Sequence, residues 1–159
     1  MKQTQLTNLF LDKSNDLIWM IDLDFQLIYA NKRYLSFMRE VSRKEKKLNE
    51  SVFTEVIDEG YIETWKAYYS KALNGEHFEV EEHVYHQNSD QLQYTQVTFE
   101  PLTGEDNKIF AVACQSKDIT PVVKENFRHS EEKNRLIMNS ALDAIICMDV
   151  EGNVTFWNP

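Results

Sequence analysis

Apolar and polar positions along the chain alternate between two periods, about 2 and about 3.6 residues, the spacings of strands and helices. Leu17-Ile18-Trp19-Met20-Ile21 is an apolar run bounded by Asp16 and Asp22, and Leu27-Ile28-Tyr29-Ala30 follows a turn-like stretch around Asp24. Two short strands joined by a tight turn are predicted there. Before them, Leu6 to Leu11 predicts a short helix; after them, Lys32 to Val41 reads as helical, with Tyr34, Leu35 and Met38 at helix spacing. The basic stretch Arg43 to Lys47 is expected to be a solvated surface segment.

A longer helix is predicted where Tyr61, Ile62, Trp65, Tyr68, Tyr69, Ala72 and Leu73 recur at three- and four-residue intervals, closing at Asn74-Gly75. Beyond Glu76 the period changes. Phe78, Val80 and Val84, then Tyr94 to Phe99, predict a long hairpin turning at Gln87-Asn88-Ser89-Asp90, with Pro101 ending its second strand. Thr103 to Asn107 reads as a loop, and the nearly continuous apolar run Ile109 to Ser116 suits a central buried strand. Val122 to Asn139, free of Gly and Pro and dense in charge, predicts an exposed or partner-facing helix. Its seam, Val123, Phe127, Ser130, Asn134, Ile137 and Ala141, has a polar centre, the pattern of a weak and switchable coiled coil.

The chain also repeats itself. Asp16-Leu17-Ile18-Trp19-Met20-Ile21-Asp22 returns as Asp143-Ala144-Ile145-Ile146-Cys147-Met148-Asp149, an offset of 127 residues. A second apolar run follows in each copy, Leu27 to Ala30 and Val154 to Trp157, ending in Asn31 and Asn158. The second copy stops at Pro159, too short for a core of its own, and is expected to be the start of another domain. The organisation expected is a first domain at 1–120, a helical connector at 121–140 and the beginning of a second domain at 141–159.

Length and charge narrow the partners. The 159 residues are 42% hydrophobic, enough for one domain and an extension, and carry 17 Lys and Arg against 26 Asp and Glu. A net charge of -9 disfavours nucleic acid and anionic lipid, leaving proteins and small molecules as expected partners. Met1 to Phe10 has neither the pattern of a signal peptide nor that of a membrane span, and a cytoplasmic location is expected. Cys114 and Cys147 lie far apart inside apolar runs, as reduced, buried thiols do.

Asn15-Asp16-Leu17-Ile18-Trp19-Met20-Ile21-Asp22 with Tyr29-Ala30-Asn31, the closing Asp118-Ile119-Thr120 and the connector Ser130-Glu131-Glu132-Lys133 resemble the PAS family. So do Asn139 to Ile145 and Trp157-Asn158-Pro159 in the second copy. Pro121-Val122 departs from the pattern, since the family more often continues with polar helix formers; proline is tolerated in a first helical turn. The resemblance implies an α+β fold, a five-stranded antiparallel sheet flanked by short helices with a C-terminal connector helix. It also implies a module that senses a small ligand or transmits a signal through dimerisation. Tandem copies of this kind usually precede a sensor histidine kinase in the same chain, and less often a cyclic-di-GMP synthase or phosphodiesterase. A ligand-free dimerisation and protein-interaction module of such a synthase or phosphodiesterase is the alternative that follows from the same resemblance.

By strand pattern, the resemblance places a ligand pocket against Trp19, Ile21, Leu27, Tyr29, Tyr85, Thr95, Val97, Phe99, Val112, Cys114 and Ser116. Ordinary core is the competing reading for most of them, and Tyr85, Thr95 and Ser116 are the polar indicators of a ligand. Asp118 and Thr120 are expected to couple the last strand to the outgoing helix. A flavin of the LOV type needs an adduct-forming cysteine after the first helix, and none occurs between Met1 and Ala113. An axial histidine for haem is missing from Tyr61 to Leu73. His77 and His83 share a strand face that His86 does not, and His129 lies in the connector, a poor metal set. No nucleophile sits in a Gly-flanked turn, and no catalytic residue is assigned.

Overall fold

The computed structural model describes residues 2–54, 58–86, 91–140 and 145–157. The chain divides into two compact units, Met1–Ile119 and Thr120–Pro159. The first holds α1 (Lys2–Leu11), β1 (Leu17–Asp22), β2 (Leu27–Ala30), α2 (Lys32–Ser42), α3 (Glu59–Leu73), β3 (Phe78–His86), β4 (Gln91–Thr103) and β5 (Ile109–Asp118). Its five strands form one sheet in the order β2-β1-β5-β4-β3, antiparallel at every junction. This is the mixed α+β arrangement that the resemblance implied, with strands and helices in the order that the period changes predicted.

Local chemistry accounts for the elements. Asp22 closes the β1–β2 turn: its Oδ1 accepts the N–H groups of Asp24 at 2.9 Å and Gln26 at 2.8 Å, an Asx turn that lets Phe25 sit at φ 59°. Asn31 caps α2 by accepting the Tyr34 N–H at 2.9 Å. Asp58 caps α3 through the N–H groups of Gly60 and Tyr61, and the helix stops at Asn74 and Gly75, where Gly75 takes φ 97°.

Pro101 does not end its strand as expected. β4 continues to Thr103, with Pro101 opposite Val112 of β5. The ladder to β3 has already stopped at Phe78↔Phe99, so this end of β4 is an edge on that side and tolerates a residue without an N–H.

The core lies on one face of the sheet, beneath α2 and α3. Trp19, Ile21, Leu27, Val97, Phe99, Val112 and Cys114 from the strands meet Tyr34, Met38, Val52, Tyr69 and Ala72, with Trp65 and Tyr68 packed against them. Fully burying side chains such as Ile21, Leu27 and Phe99 contributes roughly 1.5–3 kcal/mol each.

The second unit holds α4 (Thr120–Ser140), β6 (Ile146–Met148) and β7 (Val154–Trp157). No residue of α4 is buried, and β6 and β7 form a two-stranded sheet. Ala141, the last position of the connector seam, lies outside the described residues. No helix among the described residues is long and apolar enough to cross a membrane.

Candidate functional site: the inner face of the sheet

Nine of the sequence-derived pocket residues come together on the core face: Trp19 and Ile21 of β1, Leu27 of β2, Thr95, Val97 and Phe99 of β4, and Val112, Cys114 and Ser116 of β5 are all buried. Register explains the grouping. Trp19 stands opposite Cys114 and Ile21 opposite Val112 across β1–β5, while Phe99 stands opposite Cys114 and Val97 opposite Ser116 across β4–β5.

Tyr29 is a correction. A register shift between Met20 and Ile21 pairs Ile21 with Leu27 but Met20 with Tyr29, so Tyr29 shares the row of Met20, opposite to the core. Its hydroxyl is shielded from solvent without a partner among the described residues, and burial, aided by the charge of Asp12, pushes its pKa up. Tyr85 pairs with Leu92 in the row of His83↔Tyr94, whereas the core row of β3 runs through Phe78 and Val80. The side chain of Tyr85 lies outside the described residues.

Aromatic rings from the helices fill the space over this face. Trp19 stacks on Tyr34 with centroids 4.9 Å apart, Phe78 stacks on Phe99 at 4.9 Å, and Trp65 lies 5.7 Å from both Phe99 and Tyr69. The Trp19 indole Nε1–H donates to the Tyr69 hydroxyl at 3.0 Å, a buried bond between β1 and α3. Thr95 Oγ1 donates to the Glu82 carbonyl at 3.4 Å.

Electrostatically the face is quiet. Burial drives the hydroxyls of Tyr34 and Tyr69 and the thiol of Cys114 well above their ordinary pKa values, so all three hold their protons at neutral pH. Two open clefts occur elsewhere, neither lined by the nine residues. One, of about 410 Å³, lies between the end of α1 and the outer side of β1 and β5, against Phe10, Ile18 and Gln115. The other, of about 280 Å³, follows α2.

The histidines are dispersed. His77 pairs with Glu100, His83 meets the Tyr94 ring edge-on at 4.9 Å, and His129 pairs with Glu125 at 3.0 Å; the His86 side chain lies outside the described residues. At the closing motif, Asp118 Oδ2 accepts from Gln93 Nε2 at 2.8 Å, and the Ile119 N–H donates to the Tyr94 carbonyl at 2.9 Å. Both bonds anchor the end of β5 to β4, immediately before Thr120 opens α4.

Sequence reasoning missed the polar hub of the domain. Asn31 is fully buried; its Oδ1 accepts the N–H groups of Ile18 and Tyr34, and its Nδ2 donates to the carbonyls of Leu11 and Asp16. One amide thereby joins the end of α1, the entry to β1 and the start of α2. The signal was present: Asn ends the second apolar run in both copies of the repeat, at 31 and 158, and Asn158 lies outside the described residues.

The profile of the PAS fold family matches residues 11–124, spanning the whole five-stranded sheet. The chain belongs to the PAS-fold family. Among solved structures it is similar to a C-terminal domain from Streptococcus mutans, at 16% identity and TM-score 0.57, covering 76% of this chain and 88% of that one. It is similar also to the PAS domain of a protein from Colwellia psychrerythraea, at 17% identity and TM-score 0.52, covering 75% and 98%. An RNA-binding light-oxygen-voltage receptor matches at 13% identity and TM-score 0.54, covering 82% of this chain and 37% of the receptor. No similar protein is found among curated ones. At these identities the likeness is one of fold, and a PAS domain is a sensory module.

Proposed function

We propose that this PAS domain is a cytoplasmic relay within a sensor histidine kinase, acting as a homodimer whose signal leaves through α4. The supporting observation is the contrast between a core face closed by stacked rings and an outgoing helix with no buried residue, on which Phe127 and Ile137, seven and seventeen residues after Thr120, are exposed. Closed packing favours transmission by contact over a ligand held inside the sheet, so the nine inner-face residues act as core and Asp118 and Thr120 as the coupling positions. Apolar residues at the Phe127 and Ile137 positions of the seam gain by packing against a second copy, and Ser130 and Asn134 between them keep that packing weak.

The β6–β7 hairpin serves in this reading as the start of a second PAS domain. Its support is the repeat of the β1–β2 register at an offset of 127 residues.

Sedimentation analysis of the protein tests the dimer. A concentration-dependent dimer is expected, converting to monomer in the double variant Phe127→Glu, Ile137→Glu with an unchanged thermal melt of the first unit. A wild-type chain that stays monomeric at high micromolar concentration, or a variant that dimerises as well as wild type, removes α4 from the proposal.

A further inference from the structure

The charges of α4 are sorted by face. On one side Glu125 pairs with Arg128 at 2.8 Å and with His129 at 3.0 Å, a cluster closed within the helix itself. The opposite side carries the stripe Val123, Phe127, Ser130, Asn134 and Ile137, none of it buried. Lys124, Glu131 and Lys133 flank that stripe and make no ion pair among the described residues.

The stripe advances by four residues and three in turn, which assigns its heptad positions. Phe127 and Asn134 stand at a, and Val123, Ser130 and Ile137 at d; Lys124, Glu131 and Met138 fall at e, Asn126 and Lys133 at g. A second copy of the helix can lie on this stripe in two directions. Antiparallel, about a centre at Glu132, e meets e and g meets g, so Glu131 faces Glu131 of the second copy and Lys133 faces its Lys133, two contacts between like charges. Parallel, each g residue meets the e residue one heptad on, which brings Asn126 to Glu131 and Lys133 to Met138 and sets no like charges together. The parallel pair also places Asn134 opposite itself. An amide carries both donors and acceptors, so each copy of Asn134 answers the other across an otherwise apolar layer. A single Asn at an a position fixes register and two-stranded pairing, at a cost in stability.

We propose that two copies of this chain pair through α4 in parallel and in register, with Asn134 facing Asn134 as the residue that fixes the alignment. The inference rests on the dimeric relay described above and adds its orientation and its alignment device. A parallel pair delivers the C-terminal ends of both α4 helices to the same end of the dimer, where a change of register in the seam reaches both outgoing chains together.

The test is a pulsed electron paramagnetic resonance measurement on the full chain carrying Val122→Cys and Cys147→Ser, with a nitroxide on the new thiol, alongside sedimentation analysis of the same protein. Val122 is exposed and off the stripe, and Cys114 is buried and stays unlabelled. In the parallel pair the two labels stand level, separated by the width of two helices, roughly 20–25 Å. In the antiparallel pair they are also displaced by about 30 Å along the axis, which puts them nearer to about 40 Å apart. The short distance is expected. Asn134→Leu is expected to tighten association on the order of tenfold and to add a second, longer distance, since the apolar layer no longer selects one alignment. A chain that stays monomeric, or a dimer that survives Phe127→Glu with Ile137→Glu, removes the relay and this inference with it. A dimer that those two changes dissociate but whose labels stand at the long distance leaves the relay and overturns the parallel pairing alone. An Asn134→Leu variant that dimerises no more tightly and keeps one short distance takes the alignment away from Asn134.

Discussion

The two hairpins of the repeat are the same local object in opposite surroundings. β1–β2 pairs Trp19↔Ala30, Met20↔Tyr29 and Ile21↔Leu27; β6–β7 pairs Ile146↔Trp157, Cys147↔Phe156 and Met148↔Val154, each 127 residues on and with the register shift at the same place. The turn chemistry repeats too. Asp149 Oδ1 accepts the N–H groups of Glu151 and Asn153, both at 2.9 Å, as Asp22 Oδ1 accepts those of Asp24 and Gln26. Burial does not repeat: Trp19, Ile21 and Leu27 are 3%, 0% and 0% exposed, whereas Ile146, Met148 and Val154 are 51%, 64% and 58% exposed. Strand pairing, bulge and turn are therefore written within about fifteen residues, while stability comes from what covers the apolar row.

Truncation at equivalent positions should break the symmetry most. Leu27→Ala is expected to destabilise the first unit by about 3 kcal/mol, and Val154→Ala to leave it within about 0.5 kcal/mol, both read by urea denaturation. Equal losses would mean that the second hairpin is covered too.

Asn31→Ala comes next. It removes the acceptor for Ile18 and Tyr34 and the donor to Leu11 and Asp16, and is expected to cost about 2 kcal/mol, because buried backbone groups lose their partners. Hydrogen exchange should speed up first at the amides of Ile18 and Tyr34; a variant as stable as wild type would deny the hub its role.

The smallest effect sharpens the comparison through pH. Hydrogen bonds from Asn153, side chain first and then backbone, hold the Asp149 carboxyl below the usual aspartate range. A depressed folded-state value stabilises the hairpin above the unfolded pKa, and the contribution is lost as pH falls through the folded one. NMR of the β6–β7 amides should therefore show the hairpin population declining only under acid conditions below the ordinary aspartate pKa. A decline beginning near neutrality would assign it to another group.

Much of the fold was legible because periodicity and capping act over short distances. The stripe Trp65, Tyr68, Tyr69 and Ala72 announced α3, and Asn74-Gly75 its end. Tyr29 was misplaced because a bulge of one residue reverses every later side chain on the strand, and nothing in Leu27-Ile28-Tyr29-Ala30 marks where the extra residue falls. Pro101 misled for a related reason: whether a strand tolerates proline depends on the length of its neighbour, here β3. The candidate site was half legible. The strand pattern carried over from the resemblance named nine residues that lie buried on the inner face, but the filling of that face by Trp65 and Tyr69 required α3 to lie over the sheet.

By itself the sequence determined the elements, their turns, the repeat and the family resemblance, since each rests on hydrogen bonds and spacings internal to a dozen or so residues. Tertiary structure alone decided that the Asn31 amide gathers α1, β1 and α2 at one point and that rings from α2 and α3 close the inner face. Those outcomes depend on partners tens of residues away, whose approach is set by packing of the whole domain and not by any local pattern.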